Sequence, residues 1–241
     1  MRLDKFLADM GVGKRSDIRK DIRAGRVSVG REILRDPGAH VGEGDAVFYK
    51  GEPVRYETFV YYMLNKPAGV ITATEDKRQE TVLDLIGEQK RKDLFPVGRL
   101  DRDTEGLLLI TNDGDLAHRL LSPRHHVDKT YLVQTDAPVT EEDIRVFAEG
   151  FRVDEELTAL PAKLRLLPEQ GPDWSEVTIR EGKFHQIKRM YKARGMTVLY
   201  LKRLSMGTLT LDDQLETGAY RRLTDDEIRE LMTLTGREQE R

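Results

Sequence analysis

Apolar residues recur along this chain with two different periods. Leu3, Phe6, Leu7 and Met10 fall at helical spacing, and Gly11 and Gly13 close that segment. Ser16 is placed to cap a second helix, which carries Arg19, Lys20 and Arg23 and stops at Gly25. Short strands are expected over 26–29 and 46–50, the second after the glycine-rich turn VGEGD. GEPVRYE, residues 51–57, is the best linker. Beyond it, residues 60–64 form a buried-strand pattern that ends at Asn65-Lys66-Pro67. Residues 81–86 predict a short helix. A crowded charged loop then feeds an apolar run, Leu107 to Ile110.

Further on, Asp113 is placed to cap a helix through Leu121, broken by Ser122-Pro123. A strand is expected over 131–134, and Thr140 with Asp143 opens a helix over 140–149. Strands follow over 151–167 and 174–180, then a basic helix over roughly 184–194 that ends at Gly195. More strands are expected near 197–204, 207–211 and 219–223. Thr224 and Glu227 form a capping box for a last helix, and a polar tail begins after about residue 235. Strands outnumber helices and do not alternate regularly with them, so the expected class is α+β rather than doubly wound.

Composition narrows the picture. A chain of 241 residues with 34% charged side chains suits one large or two smaller domains, and no apolar run approaches a membrane span. The N-terminus carries acids inside its apolar pattern and shows no signal-peptide core, so a cytoplasmic protein without a membrane partner is expected. The absence of cysteine excludes disulfides, zinc–thiolate sites and cysteine nucleophiles. Charge is unevenly placed. Residues 1–35 hold ten Lys/Arg and five acids, a net +5, which leaves −8 for the rest of a chain whose total is −3. A basic module on an acidic body points to a grip on a polyanion through Lys14, Arg15, Arg19, Lys20 and Arg23.

The loop GRLDRDTEG, residues 98–106, packs five charges into nine residues: Arg99, Asp101, Arg102, Asp103 and Glu105. A calcium loop would place ligands at Asp101, Asp103 and Glu105, but its twelfth position, which needs a bidentate Glu, is Asn112. A paired-carboxylate magnesium site lacks a second acidic cluster at ligand spacing. A solvated turn is the bland alternative. It strains at Asp101, because Leu100 and Leu107 pull the loop ends into the core and a carboxylate there needs a cation. A second cluster is EGKFHQIKRMYKARGM, residues 181–196. Projected as a helix, Phe184, Ile187, Met190 and Tyr191 share one arc, His185, Arg189 and Lys192 lie opposite, and Lys188 falls at the border. The expected roles are an inward-pointing Lys188 and a face of His185, Arg189 and Lys192 toward phosphate, against an ordinary solvated face.

GRLDRDTEGLLL resembles the signature loop of pseudouridine synthases, and the basic helical first module resembles an S4 RNA-binding domain. LNKPAGV (64–70), SPRHHVDKTYLV (122–133) and EGKFHQIKRM (181–190) resemble that family's other motifs in the same order. The forms SPRHH…KTYLV and HQIKRM are most similar to the RsuA branch. One departure is Gly30 in VSVGRE, where Asn is expected. The resemblance implies an S4-like domain over 1–55, a linker at about 51–58, and a tail over 236–241. Between linker and tail it implies a catalytic domain over 59–235, with a mainly antiparallel mixed sheet flanked by helices. It further implies isomerisation of a uridine in small-subunit (16S) ribosomal RNA, of the pseudouridine-516 type. The C1′–N1 bond breaks, the base rotates, and C1′ rejoins at C5, without cofactor or metal. Asp101 is then the essential carboxylate, acting at C1′, at C6 or in proton loss at C2′. Lys188 is its buried ion-pair partner, Tyr131 packs on the target base, and Arg99 fills the stack when the base flips out. For Lys66, of LNKPAGV, a structural role is expected. His125 and His126 are not spaced as metal ligands, and surface or RNA contacts suit them better. The implied partner is ribosomal RNA, free or in a partly assembled particle, bound by a monomer. Three alternatives stay open: a large-subunit (23S) RNA enzyme of the same family, a non-catalytic ribosome-associated S4 protein, and a metal-dependent RNA hydrolase.

Overall fold

The structure is a computed structural model, and it describes residues 1–42, 44–54, 57–87, 91, 93–122 and 125–237. The chain forms two compact units. One comprises Met1–Val60 with Ile86–Leu94, the other Tyr61–Leu85 with Phe95–Arg241.

In the first unit, helices α1 (Leu3–Asp9) and α2 (Arg15–Arg23) precede strands β1 (Val27–Val29), β2 (Glu32–Leu34), β3 (Val47–Tyr49) and β4 (Glu52–Val54). Leu3, Phe6 and Leu7 of α1 pack on Ile18 and Ile22 of α2, over Val27, Val41 and Val47. The sheet runs β2-β1-β3-β4, all antiparallel. Two expectations change here. Ser16 does not cap α2, which begins two residues earlier than such a cap would allow, with Lys14 at the cap position. The early start lets Arg15 join Arg2 and Arg19 on the carboxylate of Asp4, whose side chain is fully buried. The expected linker also holds a strand, since Glu52–Val54 pairs with Val47–Tyr49; its residues 55 and 56 lie outside the described residues.

The second unit contains β5 (Tyr61–Lys66), β6 (Phe95–Pro96), β7 (Glu105–Thr111), α3 (Gly114–Leu121), β8 (Lys129–Thr135), α4 (Glu141–Glu149), β9 (Phe151–Arg152) and β10 (Thr158–Ala159). It continues with β11 (Lys163–Leu166), β12 (Trp174–Ile179), α5 (Gln186–Ala193), β13 (Val198–Met206), β14 (Leu209–Thr210), β15 (Tyr220–Arg222) and α6 (Asp225–Leu234). The main sheet runs β11-β12-β8-β13-β7-β5-β15, with β14 on β13 and β6 on β7. The class is α+β with a mainly antiparallel sheet, as expected. Among the described strands only β13 and β7 pair in parallel. That seam joins two antiparallel halves. It also brings the segments entering β7 and β13 to the same edge of the sheet.

Local signals set several element ends. Asp113 caps α3 by accepting from the Leu116 amide, and capping boxes open α4 at Thr140 and α6 at Thr224. The expected helix over 81–86 is instead a turn, closed when the amide and hydroxyl of Thr81 both donate to Asp84. The expected strand over 151–167 is three short strands. Arg237, placed by the sequence in a polar tail, ion-pairs with Asp113, while residues 238–241 lie outside the described residues. Pro123 and Arg124 of the break after α3 lie outside them as well. Among the described residues, no helix is long and apolar enough to cross a membrane.

Candidate active site

The charged loop is held from three sides. Beneath it, the fully buried Lys66 donates from Nζ to the carbonyls of Thr104 (2.8 Å), Pro67 (2.9 Å) and Arg102 (3.3 Å). Burial pushes this ammonium down to about 8, although Asp103, Glu105 and Asp101 pull it upward. At the loop's start, Leu100 is buried and its carbonyl accepts from the Thr72 hydroxyl at 2.7 Å. At its end, Gly106 has φ +97°, and a Cβ there would stand 2.2 Å from the carbonyl oxygen of Arg203. Only glycine lets β7 approach β13 this closely. Buried Arg203 returns the contact, donating from Nε to the Leu107 carbonyl at 2.6 Å.

This bracing fixes Asp101 at the sheet edge, where α5 arrives from the other side of the seam. Lys188 Nζ lies 3.1 Å from Asp101 Oδ2 and 2.5 Å from Asp103 Oδ1. Burial opposes the ammonium, but the bonds to Asp103 and Asp101 outweigh it and hold Lys188 above the ordinary lysine value. Asp103, despite its own burial cost, is held below the ordinary carboxylate range by Lys188. The sequence led to an expectation of a buried pair. The structure corrects this, because Lys188 and Asp101 keep 24% and 27% of their side-chain surface. The pair faces a cleft and so remains open to a ligand.

Tyr131 forms part of the cleft wall. It is buried on β8 and shares one row across the sheet with Arg203 of β13 and Gly106 of β7. Leu201 and Ile179 add apolar surface, and Arg99 and Lys183 stand on the same lining. The cleft has a volume of about 70 Å³. That is well below the roughly 300 Å³ that encloses a whole small molecule, so the cleft suits one part of a larger substrate. Among the described residues, no group of three or more His, Cys, Asp or Glu is arranged to hold a metal.

The sequence-selected residues divide into two sets. Asp101, Tyr131, Lys188, Arg99 and His185 come together on this cleft. His185 was expected on the far face of the helix, yet its Nε2 lies 3.5 Å from Asp101 Oδ1. The reason is local: His185 adopts a left-handed conformation (φ 49°, ψ 29°), and α5 starts only at Gln186. Phe184, expected in the core, is consequently 66% exposed. Arg189 is occupied by Asp154 at 2.5 Å, while Lys192 is exposed on α5. On the first unit, Arg15 and Arg19 serve Asp4, Lys20 pairs loosely with Asp17, and Lys14 and Arg23 are exposed. Sequence reasoning missed Lys183, Thr104, Leu201 and Ile179 in the lining. Their patterns were those of an ordinary turn and ordinary strands.

Comparison with known proteins adds to this geometry. The family model described as RNA pseudouridylate synthase matches residues 60–193, and the S4 domain matches residues 1–47. The chain is 48% identical over 231 residues to an uncharacterized RNA pseudouridine synthase, YtzG, of Bacillus subtilis (strain 168), covering 95% of this chain and 97% of that one. It is 41% identical over 231 residues to ribosomal small subunit pseudouridine synthase A of Escherichia coli (strain K12), covering 95% and 98%. A solved crystal structure of a pseudouridylate synthase superposes with a TM-score of 0.68 at 38% identity, covering 96% and 99%.

Proposed function

This chain belongs to the RNA pseudouridylate synthase family and carries an S4 domain, and from that premise we propose that it isomerises one uridine of small-subunit (16S) ribosomal RNA. The target is of the pseudouridine-516 type. The observation that carries the reading is the Asp101–Lys188 pair, held on a rigid loop at the mouth of a cleft walled by Tyr131. The choice of small-subunit RNA draws support from the relatives of that name, which align over nearly the full length of both chains.

In this reading Asp101 is the essential carboxylate. It acts by attack at C1′ or C6, or by taking the C2′ proton; each route needs an ionised, poorly solvated oxygen. The C1′–N1 bond breaks, the uracil turns, C1′ bonds to C5, and the C5 proton leaves while N1 gains one. Lys188 pairs with Asp101 and orients its carboxylate. Tyr131 offers the base a flat face and one hydroxyl. Chemistry at C1′ needs the nucleotide out of its stack, and exposed Arg99 is placed to fill the gap. Lys14, Lys20 and Arg23 of the first unit, with Lys192 of α5, meet phosphates. The enzyme works in the cytoplasm as a monomer, on RNA free or in a partly assembled particle.

Mapping pseudouridines in ribosomal RNA from cells with and without the protein tests this. One small-subunit pseudouridine is expected to disappear. Loss from the large subunit alone would overturn the substrate, and an unchanged map in both subunits would overturn the function.

A further inference from the structure

We propose that Phe184 and His185 form a stacking platform for an unpaired base of the RNA immediately next to the target uridine. The inference rests on the reading that the substrate is RNA. It starts from an anomaly: a phenylalanine ring 66% exposed, next in the chain to the histidine that reaches the proposed catalytic carboxylate. The ring lies flat on the imidazole of His185, with centroids 3.7 Å apart and planes within 19°. One face of Phe184 is thus covered by its neighbour, and the ring is presented outward as a plate.

The backbone holds the plate in place at a conformational cost. His185 is one of few non-glycine residues here with positive φ, a conformation that persists when its surroundings enforce it. A polar network supplies that enforcement. The side-chain oxygen of Gln186 accepts from the Lys183 amide at 3.0 Å, and its nitrogen donates to Glu181 Oε1 at 2.5 Å. The same Glu181 oxygen accepts from the Leu160 amide at 2.9 Å. Arg189, fixed on Asp154, donates to the Phe184 carbonyl at 3.4 Å. Continuing α5 by one more turn would rotate Phe184 toward the core. The braced turn prevents this and keeps an apolar ring in water.

The chemistry of the occupant follows from position. Unpaired bases stack on Phe and His side chains without regard to sequence, because every base has a π-face. His185 Nε2 is 3.5 Å from Asp101, where the target nucleotide must sit. Phe184 is stacked on the face of that imidazole and lies off the cleft lining. A base on its free face is therefore a neighbour of the target, not the target itself. Lys183, on the lining of the same cleft, is itself tied down, with Nζ 3.2 Å from Glu181 Oε2 and 3.2 Å from the Thr158 carbonyl. The platform would hold the flanking strand open while the target is turned out.

The test is affinity for a small-subunit ribosomal RNA transcript, measured in an Asp101→Asn background so that no turnover intervenes. Phe184→Ala and Phe184→Leu should each weaken Kd by about tenfold, the effect of removing one stacked base. Phe184→Tyr should bind as the parent does. The salt dependence of binding should keep its slope in all three, because stacking releases no counterions. With Asp101 restored, Phe184→Leu should raise KM and leave kcat in place. Parent-like binding by Phe184→Leu, or a shallower salt slope, would overturn the platform. Absence of pseudouridine formation by the unaltered protein would instead strike the functional reading, and the binding measurement would still decide the platform.

Discussion

Lys188 shares one ammonium between two carboxylates two residues apart, 3.1 Å from Asp101 and 2.5 Å from Asp103. Removing it takes from Asp101 the ammonium 3.1 Å away and leaves it His185 Nε2, at 3.5 Å. Lys188→Met is expected to lower kcat by about 100-fold, the scale of one positioned charged group, with little change in RNA affinity. Lys188→Arg should recover part of the loss, since it keeps the charge but changes the shape. Single-turnover pseudouridine formation measures both. Equal activity in Lys188→Met and the parent would remove Lys188 from the mechanism.

Asp101→Asn keeps the size and polarity of the side chain and removes its charge. Turnover is expected to vanish while the transcript binds as before. Release of tritium from C5-labelled uridine, paired with a binding isotherm, makes the comparison. Appreciable turnover in this variant would exclude Asp101 as the reacting group.

Lys66 links the loop to pH. Burial lowers its folded value to about 8, below the roughly 10.4 of an unfolded lysine. Between those values the unfolded chain binds more protons than the folded one, so this residue makes stability rise with pH across that window. Lys66→Met should remove this residue's share of that rise and leave the share of Lys129. It should also cost on the order of 2 kcal/mol at pH 7, by leaving backbone carbonyls without their donor. Urea unfolding of both proteins at pH 7.5 and pH 10 reads the difference; Lys129, shifted the same way, is common to both.

The basic first unit separates into structural and free cations. Asp4 is held well below the ordinary carboxylate range, first by Arg15 against the cost of burial, then by Arg19 and Arg2. Its stabilising contribution is complete above the unfolded value near 4 and is lost as pH falls below it. Arg15→Met or Arg19→Met should therefore lower Tm, and Asp4→Asn should flatten the acid limb of stability. Lys14→Gln and Arg23→Gln should leave Tm alone and reduce the salt slope of RNA binding by about 0.7–0.9 for each phosphate no longer neutralised. A fall in Tm without a change in slope for the second pair would place RNA binding elsewhere.

Gly106 is the tightest point of the seam. Gly106→Ala combines a positive φ with a Cβ 2.2 Å from a backbone oxygen, and a backbone atom cannot swing aside. The expected loss of stability exceeds about 2 kcal/mol, and turnover should fall with it as the loop is displaced. Thermal melts and kcat on the same preparation check whether the two move together.

Much of this was legible in the sequence because it is local. Asp113, the Thr140–Asp143 box and the Thr224–Glu227 box act within one helical turn, and each sits where its pattern placed it. The apolar run behind Asp101 announced β7. Misreadings arose where geometry is not periodic. A single left-handed residue, His185, moved the helix start by two positions and put Phe184 in solvent instead of core. Pro53 and two acids made residues 51–57 resemble a linker, although an edge strand accepts proline where its amide is not needed. Nothing in a linear pattern announced the parallel register of Lys202 with Glu105, on which the meeting of Asp101 and Lys188 depends.

That register sets a moment in the life of the chain. Asp101 and its loop emerge early during synthesis, but they meet Lys188 only once β13 inserts between β7 and β8, after residue 206 has been made. Such distant pairing is the slow part of folding. The Asp101–Lys188 pair is therefore absent from the nascent chain until residue 206 has been made, long after the residues of the basic N-terminal unit.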